Sequence, residues 1–402
     1  MQPLEGVRVL DLSRALAGPY CTMMLGDLGA DVIKIERPGH GDESRGWGPP
    51  FVGEPYGPYP GESAYYIAVN RNKRSVTVNL KSPEGQEIVR RLAGVSDLLV
   101  ENFRTGALDR MGLGYHDLQA VNPGLVYCSI SGYGRTGPYA ERPGYDFIIQ
   151  AEGGLMGTTG PVEGPPYRVG VPIVDITAGM FASSATLAAL RARDRTGEGQ
   201  LVDVSLLDAS AALLTNVASN YLVGGESPRR LGNAHPNIAP YEAFQARDHW
   251  FALAAANQRQ WAILCGVIGR PDLEDDPRFA TNEARVSNRP ALLEALGDVF
   301  VERDAAEWLA ELSESGLPCG PINTVADVFQ HTQAEARGLA LATEHPTAGL
   351  VRTTGFPYEF SRTPAQVHQP PPLLGEHTHD VLTGLLGYAA PEVVELEERG
   401  VV

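Results

Sequence analysis

Residues 7–36 read VRVLDLSRALAGPYCTMMLGDLGADVIKIE, and three segments of different period follow one another within them. Residues 7–12 form a short apolar run of strand length, 18–28 have helical length and apolar spacing, and 31–36 (DVIKIE) return to a strand. Strand, helix and strand at this spacing imply a parallel pair joined by a crossover. Working outward, residues 83–93 read as a helix, 97–103 and 124–130 as strands, and 200–205 as a strand before an Ala-rich helix to about residue 223. The first half is therefore an α/β fold with an open, mainly parallel sheet.

The chain then changes character. Residues 224–240 (GGESPRRLGNAHPNIAP close this stretch) are rich in Gly, Pro and Asn, the composition of a linker or a working loop. Residues 241–316 begin with YEAFQARDHWFALAAAN, which reads as an antiparallel hairpin, and continue as helices, a candidate smaller domain. Residues 317–402 return to strand, loop and helix and are expected to pack back on the large domain formed by 1–223. A length of 402 residues suits two domains.

Composition narrows the function. The formal charge of -17 excludes nucleic acid and an anionic membrane as general partners, so an anionic ligand must meet locally clustered Arg and Lys. No apolar run approaches the roughly 20 residues of a membrane span and no basic-then-apolar leader opens the chain, so a cytoplasmic protein is expected. Cys21, Cys128, Cys265 and Cys319 are scattered without metal or disulfide spacing, and His377 and His379 have no third ligand nearby, so no metal site is expected. The loop after the first strand, SRALAGPY, lacks GxGxxG, which removes a nicotinamide or flavin reading.

A carboxylate stands out in residues 171–180, VPIVDITAGM. Asp175 follows an apolar, strand-like run (171–174) and precedes a long Ala-rich helical segment. Near a helix N-terminus the ionised form is favoured by about 0.3–1 kcal/mol at exposed sites. An aspartate before a helix is commonly an N-cap, and that reading stands beside a catalytic one.

Collinear blocks now carry a resemblance: 9–47 (VLDLSRALAGPYCTMMLGDLGADVIKIERPGHGDESRGW), NRNKRSVTVNLKSPEGQ (70–86), ENFRTGALDRMGLGY (101–115), PGYDFIIQAEGG (143–154), VDITAGM (174–180), GLPCGPINT (316–324) and PPLLGEHT (371–378). Together they resemble the class III CoA-transferases, the formyl-CoA transferase and succinyl-CoA:dicarboxylate transferase group. The resemblance implies a Rossmann-like large domain built from both chain ends, a smaller domain between them, and an interlocked ring-like homodimer. It also implies a nucleophile at Asp175, no tightly bound cofactor, and a coenzyme A thioester as substrate. A side-chain carboxylate suits such a transfer, because an acyl anhydride and then an aspartyl-CoA thioester hold the activation that hydrolysis would lose.

By the same resemblance Tyr65, Tyr145 and Asp146 line the active site, Arg37, Asn102 and Arg104 contact the nucleotide portion of coenzyme A, and Lys73 or Arg74 lies near a phosphate; Arg71 stands with them as a coenzyme A candidate in the basic run NRNKRS, whose other reading is a solvated charged loop. Backbone donors for a developing oxyanion have two candidate loops, Leu16, Ala17 and Gly18 after the first strand and Gly232, Asn233, Ala234 and His235 in the linker. Formyl-CoA members carry glutamine at the place of Leu16 and a glycine run at the second loop, so GNAHPNIAP resembles instead the members acting on succinyl-CoA and dicarboxylic acids. A second substrate carboxylate would need a cationic partner, with Arg45, Arg168 and His235 as candidates. The competing reading is an acyl-CoA racemase or isomerase, whose members carry histidine at the place of Tyr145; a tyrosine with reference pKa near 10 is a poor base at an α-carbon. A non-catalytic CoA-binding scaffold is the third.

Overall fold

The computed structural model describes residues 2–402. A six-stranded sheet forms its centre: β1 (Arg8–Asp11), β2 (Asp31–Glu36), β3 (Lys73–Thr77), β4 (Leu98–Glu101), β5 (Val126–Ser131) and β6 (Leu201–Ser205), in the order β3-β2-β1-β4-β5-β6. All neighbours are parallel. The strands read as near-continuous apolar runs because helices cover both faces. The Pro83–Gly94 helix illustrates the local logic: Pro83 stands at its start, the Ser82 side chain accepts from the Gly85 N–H, and Ile88, Val89, Leu92 and Ala93 turn inward. They join Leu10, Ile33, Leu99 and Tyr127, while Val381, Leu382, Val393 and Leu396 of the C-terminal helices complete the same core.

Strand order reverses between β1 and β4. In an open parallel sheet the loops leaving such a pair diverge to opposite faces, and a crevice opens outside their carboxyl ends. The loops concerned are 12–16 and 102–105.

The chain forms two compact units. One comprises the residues up to Gly154 with Val169–Leu213 and Thr332–Val402; the other comprises Leu155–Arg168 and Leu214–His331. The unit boundaries therefore differ from 223/224 and 316/317, for reasons of pairing. Segment 155–168 is bonded within the second unit, where Gly232 N–H donates to Gly160 O at 3.1 Å and Arg230 Nη2 to Gly164 O at 2.8 Å. Cys319–Pro321 adds a third strand to the hairpin of Tyr241–Gln245 and Trp250–Ala254. That unit is filled by aromatic rings, with Phe251 edge-on to Phe300 at 5.1 Å and Trp308 at 5.4 Å from the same ring.

Two elements depart from expectation. Residues 171–174 are not a strand, because the helix Ile173–Thr196 begins before Asp175 and these residues pair with no strand. The Ala-rich segment also divides into Leu206–Leu213 and Thr215–Gly224, where Thr215 takes φ 36°. The 24-residue helix is apolar enough, at mean hydropathy 1.5, to cross a bilayer. Here the helix packs against the Ala17–Asp27 helix and against β5 and β6, while Met180 and Phe181 remain exposed.

Candidate functional site

The loop leaving β1 is held at Ser13, Arg14 and Ala15. Ser13 N–H donates to Asp11 Oδ1 at 2.9 Å, and Asn102 clasps Arg14 from both sides, accepting its N–H at 2.9 Å and donating to its carbonyl at 2.7 Å. Ala15 N–H donates to Asp42 Oδ1 at 3.1 Å, in a backbone with φ 66° that a non-glycine residue rarely adopts. Beneath lies Lys34, fully buried, with Nζ 2.8 Å from Asp42 Oδ2 and donating to Ser13 O at 2.8 Å. So fixed, the loop delivers Leu16 to the start of the Ala17–Asp27 helix, which has no side-chain cap. The N–H groups of Leu16, Ala17 and Gly18 find no acceptor among the described residues, although all three residues are buried. Buried orphan donors at a helix start form a site for an anionic oxygen.

Asp175 comes to the same place through a glycine. A Cβ on Gly179 would lie 2.6 Å from Ala17 O, so only glycine permits the Ile173–Thr196 helix to approach the 16–18 loop this closely. Gly179 is one turn beyond Asp175, on the same face. The cap of that helix is not Asp175. Pro172 stands at the cap position without a side-chain bond, and Asp146 from a neighbouring helix accepts Val174 N–H at 2.8 Å and Asp175 N–H at 3.3 Å. Gln150 holds Asp146 in turn, donating to Oδ2 at 2.6 Å and accepting from Val169 N–H at 2.8 Å. Tyr145 is placed by a backbone contact: a Cβ on Gly144 would fall 2.5 Å from Gly132 Cα.

The electrostatics follow from this packing. Burial, and then the charge of Asp146, push the Asp175 carboxyl up to about 7. The helix-start effect foreseen from sequence is thus outweighed, since the N–H groups of that helix already serve Asp146. Tyr65 lies beside Leu16 and Ile176, and burial, then Asp175 and Asp146, push its phenol up to about 12, so it remains a donor at neutral pH.

Asp175, Leu16, Ala17 and Tyr145 line a cleft of about 180 Å³ at the switch point, with Arg14, Asn102, Arg104 and Arg142 on its walls. Thr105 also lines it, its buried hydroxyl without a partner among the described residues. A second cleft of about 670 Å³ opens at the carboxyl ends of β2 and β3, lined by Arg37, His40, Asn79 and Lys81. Arg14, Glu43 and Phe103 line both. In the second cleft Glu36 is paired with Arg45 and Asp42 with Lys34, so the charges without side-chain partners among the described residues are Arg37 and Lys81. An acidic chain thereby presents a locally cationic crevice leading to a half-buried carboxylate.

The family profile described as CoA-transferase family III matches residues 4–378. The chain belongs to CoA-transferase family III. Among similar chains is the succinyl-CoA:glutarate CoA-transferase of Mus musculus, 46% identical over 402 residues and covering 100% of this chain and 91% of that one. The succinate–glutarate CoA-transferase of Agrobacterium fabrum is 43% identical, covering 95% of this chain and 96% of that one. A CAIB/BAIF family protein from Brucella suis superposes with TM-score 0.84 at 45% identity, covering 96% of this chain and 99% of that one.

For this CoA-transferase the basic run NRNKRS requires correction. Arg71 is bidentate to Asp27 at 2.9 and 2.7 Å, Lys73 bonds Asp11, Pro19 O and Asn70, and Arg74 is bidentate to Asp31 at 2.9 and 2.7 Å. These residues stand at the amino end of β3, opposite the end where both clefts open. Arg45 is likewise no free carboxylate partner, because it is fully buried between Glu36, Glu62, Tyr66 and Pro372 O. Asn102 lines the cleft while its amide braces Arg14, and Arg104 donates to Glu141 O at 3.0 Å. Arg168, Gly232, Asn233 and His235 belong to the second unit, where Asn237 N–H donates to His235 Nδ1 at 3.1 Å. Arg14, Glu43, Lys81, Thr105 and Arg142 escaped sequence reading. Three of them lie within four residues after β1, β3 or β4, so the carboxyl-end rule applied to every strand exposes Arg14, Lys81 and Thr105.

Proposed function

We propose that this CoA-transferase moves coenzyme A from succinyl-CoA to a second short dicarboxylic acid through covalent intermediates on Asp175. The observation that carries the reading is a half-buried carboxylate set against the unpaired N–H groups of residues 16–18 in a guanidinium-lined cleft. In that reading an Asp175 oxygen attacks the thioester carbonyl, whose developing oxyanion faces those N–H groups. The C–S bond breaks and thiolate leaves; thiolate then attacks the Asp175 carboxyl carbon of the anhydride, expelling the first acid. The acceptor carboxylate attacks the aspartyl thioester, and thiolate attacks the new acyl carbon, restoring Asp175. Arg37 and Lys81 suit the phosphates of the nucleotide end, the diphosphate reaches Arg14 at the junction, the pantetheine arm passes Phe103, and Arg104 and Arg142 suit the remote carboxylate of either acid. Both relatives named as glutarate transferases agree with a dicarboxylate acceptor. Exposed Phe147, Ile148, Met180 and Phe181 support burial of this face in a homodimer.

Oxygen bookkeeping tests the route. With glutarate labelled in its carboxylates by ¹⁸O, and succinyl-CoA as donor, label is expected in the Asp175 peptide after one turnover and in released succinate after several. Glutaryl-CoA formation with no label in Asp175 would exclude the anhydride path.

The pH profile gives a second check. Ionised Asp175 is the attacking form, and its carboxyl is held near 7, so kcat/KM for succinyl-CoA is expected to rise through an acid limb near pH 7 and level above it. Asp146→Asn retains an oxygen for the Val174 N–H and removes the neighbouring charge, so the limb is expected at lower pH. A limb unmoved by this substitution would contradict the influence of Asp146.

A further inference from the structure

Arg14 and Glu43 stand at the junction of the two clefts, lining both together with Phe103. Arg14 Nη1 lies 2.9 Å from Glu43 Oε1, and its guanidinium sits 4.7 Å above the Phe103 ring. The bases of both side chains are rigid. Asn102 clasps the Arg14 backbone, and the Asp42 carboxylate, which accepts Ser44 N–H at 2.9 Å, fixes the turn that carries Glu43. The tips are not: the side chains are 44% and 54% exposed, so their pairing is weak and easily exchanged for another partner. Among the described residues, Glu43 is the carboxylate that pairs with this guanidinium.

We propose that Glu43 sets the affinity for the coenzyme A diphosphate by competing for Arg14: a latch that the ligand opens when it runs from one cleft to the other. The proposal rests on the reading that coenzyme A spans both clefts. A diphosphate at the junction offers Arg14 a bidentate, charge-assisted partner stronger than an exposed carboxylate. The guanidinium swings about its clamped backbone, stays over Phe103 and leaves Glu43 to solvent. Binding is weakened by the strength of the pair it must break, and release is assisted when the pair closes again. A transferase that must let each product thioester go gains from such a moderated grip. Glu43 is thus a positioning residue acting through Arg14, with no contact of its own to the reacting atoms.

The test is a double-mutant cycle read by the dissociation constant of free coenzyme A, measured calorimetrically on the whole protein. Both side chains are exposed, so the variants are expected to fold. Glu43→Gln is expected to tighten binding by about two- to five-fold, the worth of an exposed pair. Arg14→Met is expected to weaken it, and Glu43→Gln added to Arg14→Met is expected to change nothing further. Unchanged or weaker binding by Glu43→Gln alone overturns the proposal, and so does an equal gain in both backgrounds, which would mean that Glu43 meets the ligand directly. Arg37→Ala separates the underlying reading: if it leaves the dissociation constant unaltered, the path of coenzyme A through these clefts is wrong, whereas a loss of affinity there with no gain in Glu43→Gln defeats the latch alone.

Discussion

Asp175→Asn is expected to lower turnover by at least about 10⁴-fold while making the protein more stable at pH 8. The first effect follows from the covalent role proposed for Asp175, since an amide can form neither the anhydride nor the aspartyl thioester, and removal of a nucleophile typically has an effect of this order or more. The second follows from burial. Folding moves the Asp175 carboxyl from 3.8 to about 7, a displacement worth about 4 kcal/mol as an upper bound. The folded chain therefore binds a proton here more tightly than the unfolded chain does. Stability from this group is complete in the protonated state below about pH 4 and is lost as pH rises through 7. Asparagine, never charged, escapes that loss, so the gain in melting temperature should be present at pH 8 and absent at pH 4. Thermal unfolding at the two pH values with a steady-state assay checks both parts. If Asp175 were only the helix cap, its replacement would destabilise by about 1 kcal/mol and leave turnover near normal. The cap bonds formed by Asp146 already argue otherwise.

Lys34→Met is expected to carry the largest loss of stability, about 3–5 kcal/mol by denaturant unfolding. Lys34 is fully buried; burial disfavours its charge, but Asp42, Asp11 and Glu36 around it more than compensate and raise its pKa above the ordinary lysine value. Methionine fills similar space and leaves Asp42 without its cation and Ser13 O without its donor. The effect is expected to reach the site, because Asp42 also holds Ala15 in its left-handed backbone and Ser13 begins the loop that ends at Leu16. Lys34→Met with Asp42→Asn should recover part of the loss, since the stranded charge is removed with its partner. A change below about 1 kcal/mol in the single variant would show that this ion pair does not support the loop.

How far the sequence could be read depends on how local each interaction is. The strand–helix–strand of 7–36 was legible because apolar period is a property of consecutive residues, and beyond the carboxyl ends of those strands Leu16, Ala17 and Arg37 line the clefts. NRNKRS was misleading because local charge says nothing about which end of a strand it occupies. Arg71 and Arg74 meet Asp27 and Asp31, acids more than forty positions earlier, only once β3 has paired with β2. Lys34 within VIKIE carried a signal that period alone passes over: a cation in a central parallel strand must have a buried anion, here Asp42 across a turn.

The amino-acid order alone determined the parallel α/β class, the need for a local cationic patch in an acidic chain, and, through its collinear motifs, the family resemblance that singles out Asp175. Only the tertiary structure decided that Asp146 caps the helix, that Gly179 admits Asp175 to the unpaired N–H groups of residues 16–18, and that Arg14 rather than Arg71, Lys73 or Arg74 faces the cleft. The reason is physical: backbone period and turn chemistry act between neighbours in the chain. Desolvation, ion pairing and the approach of one backbone to another depend on elements that sheet register brings together from far apart.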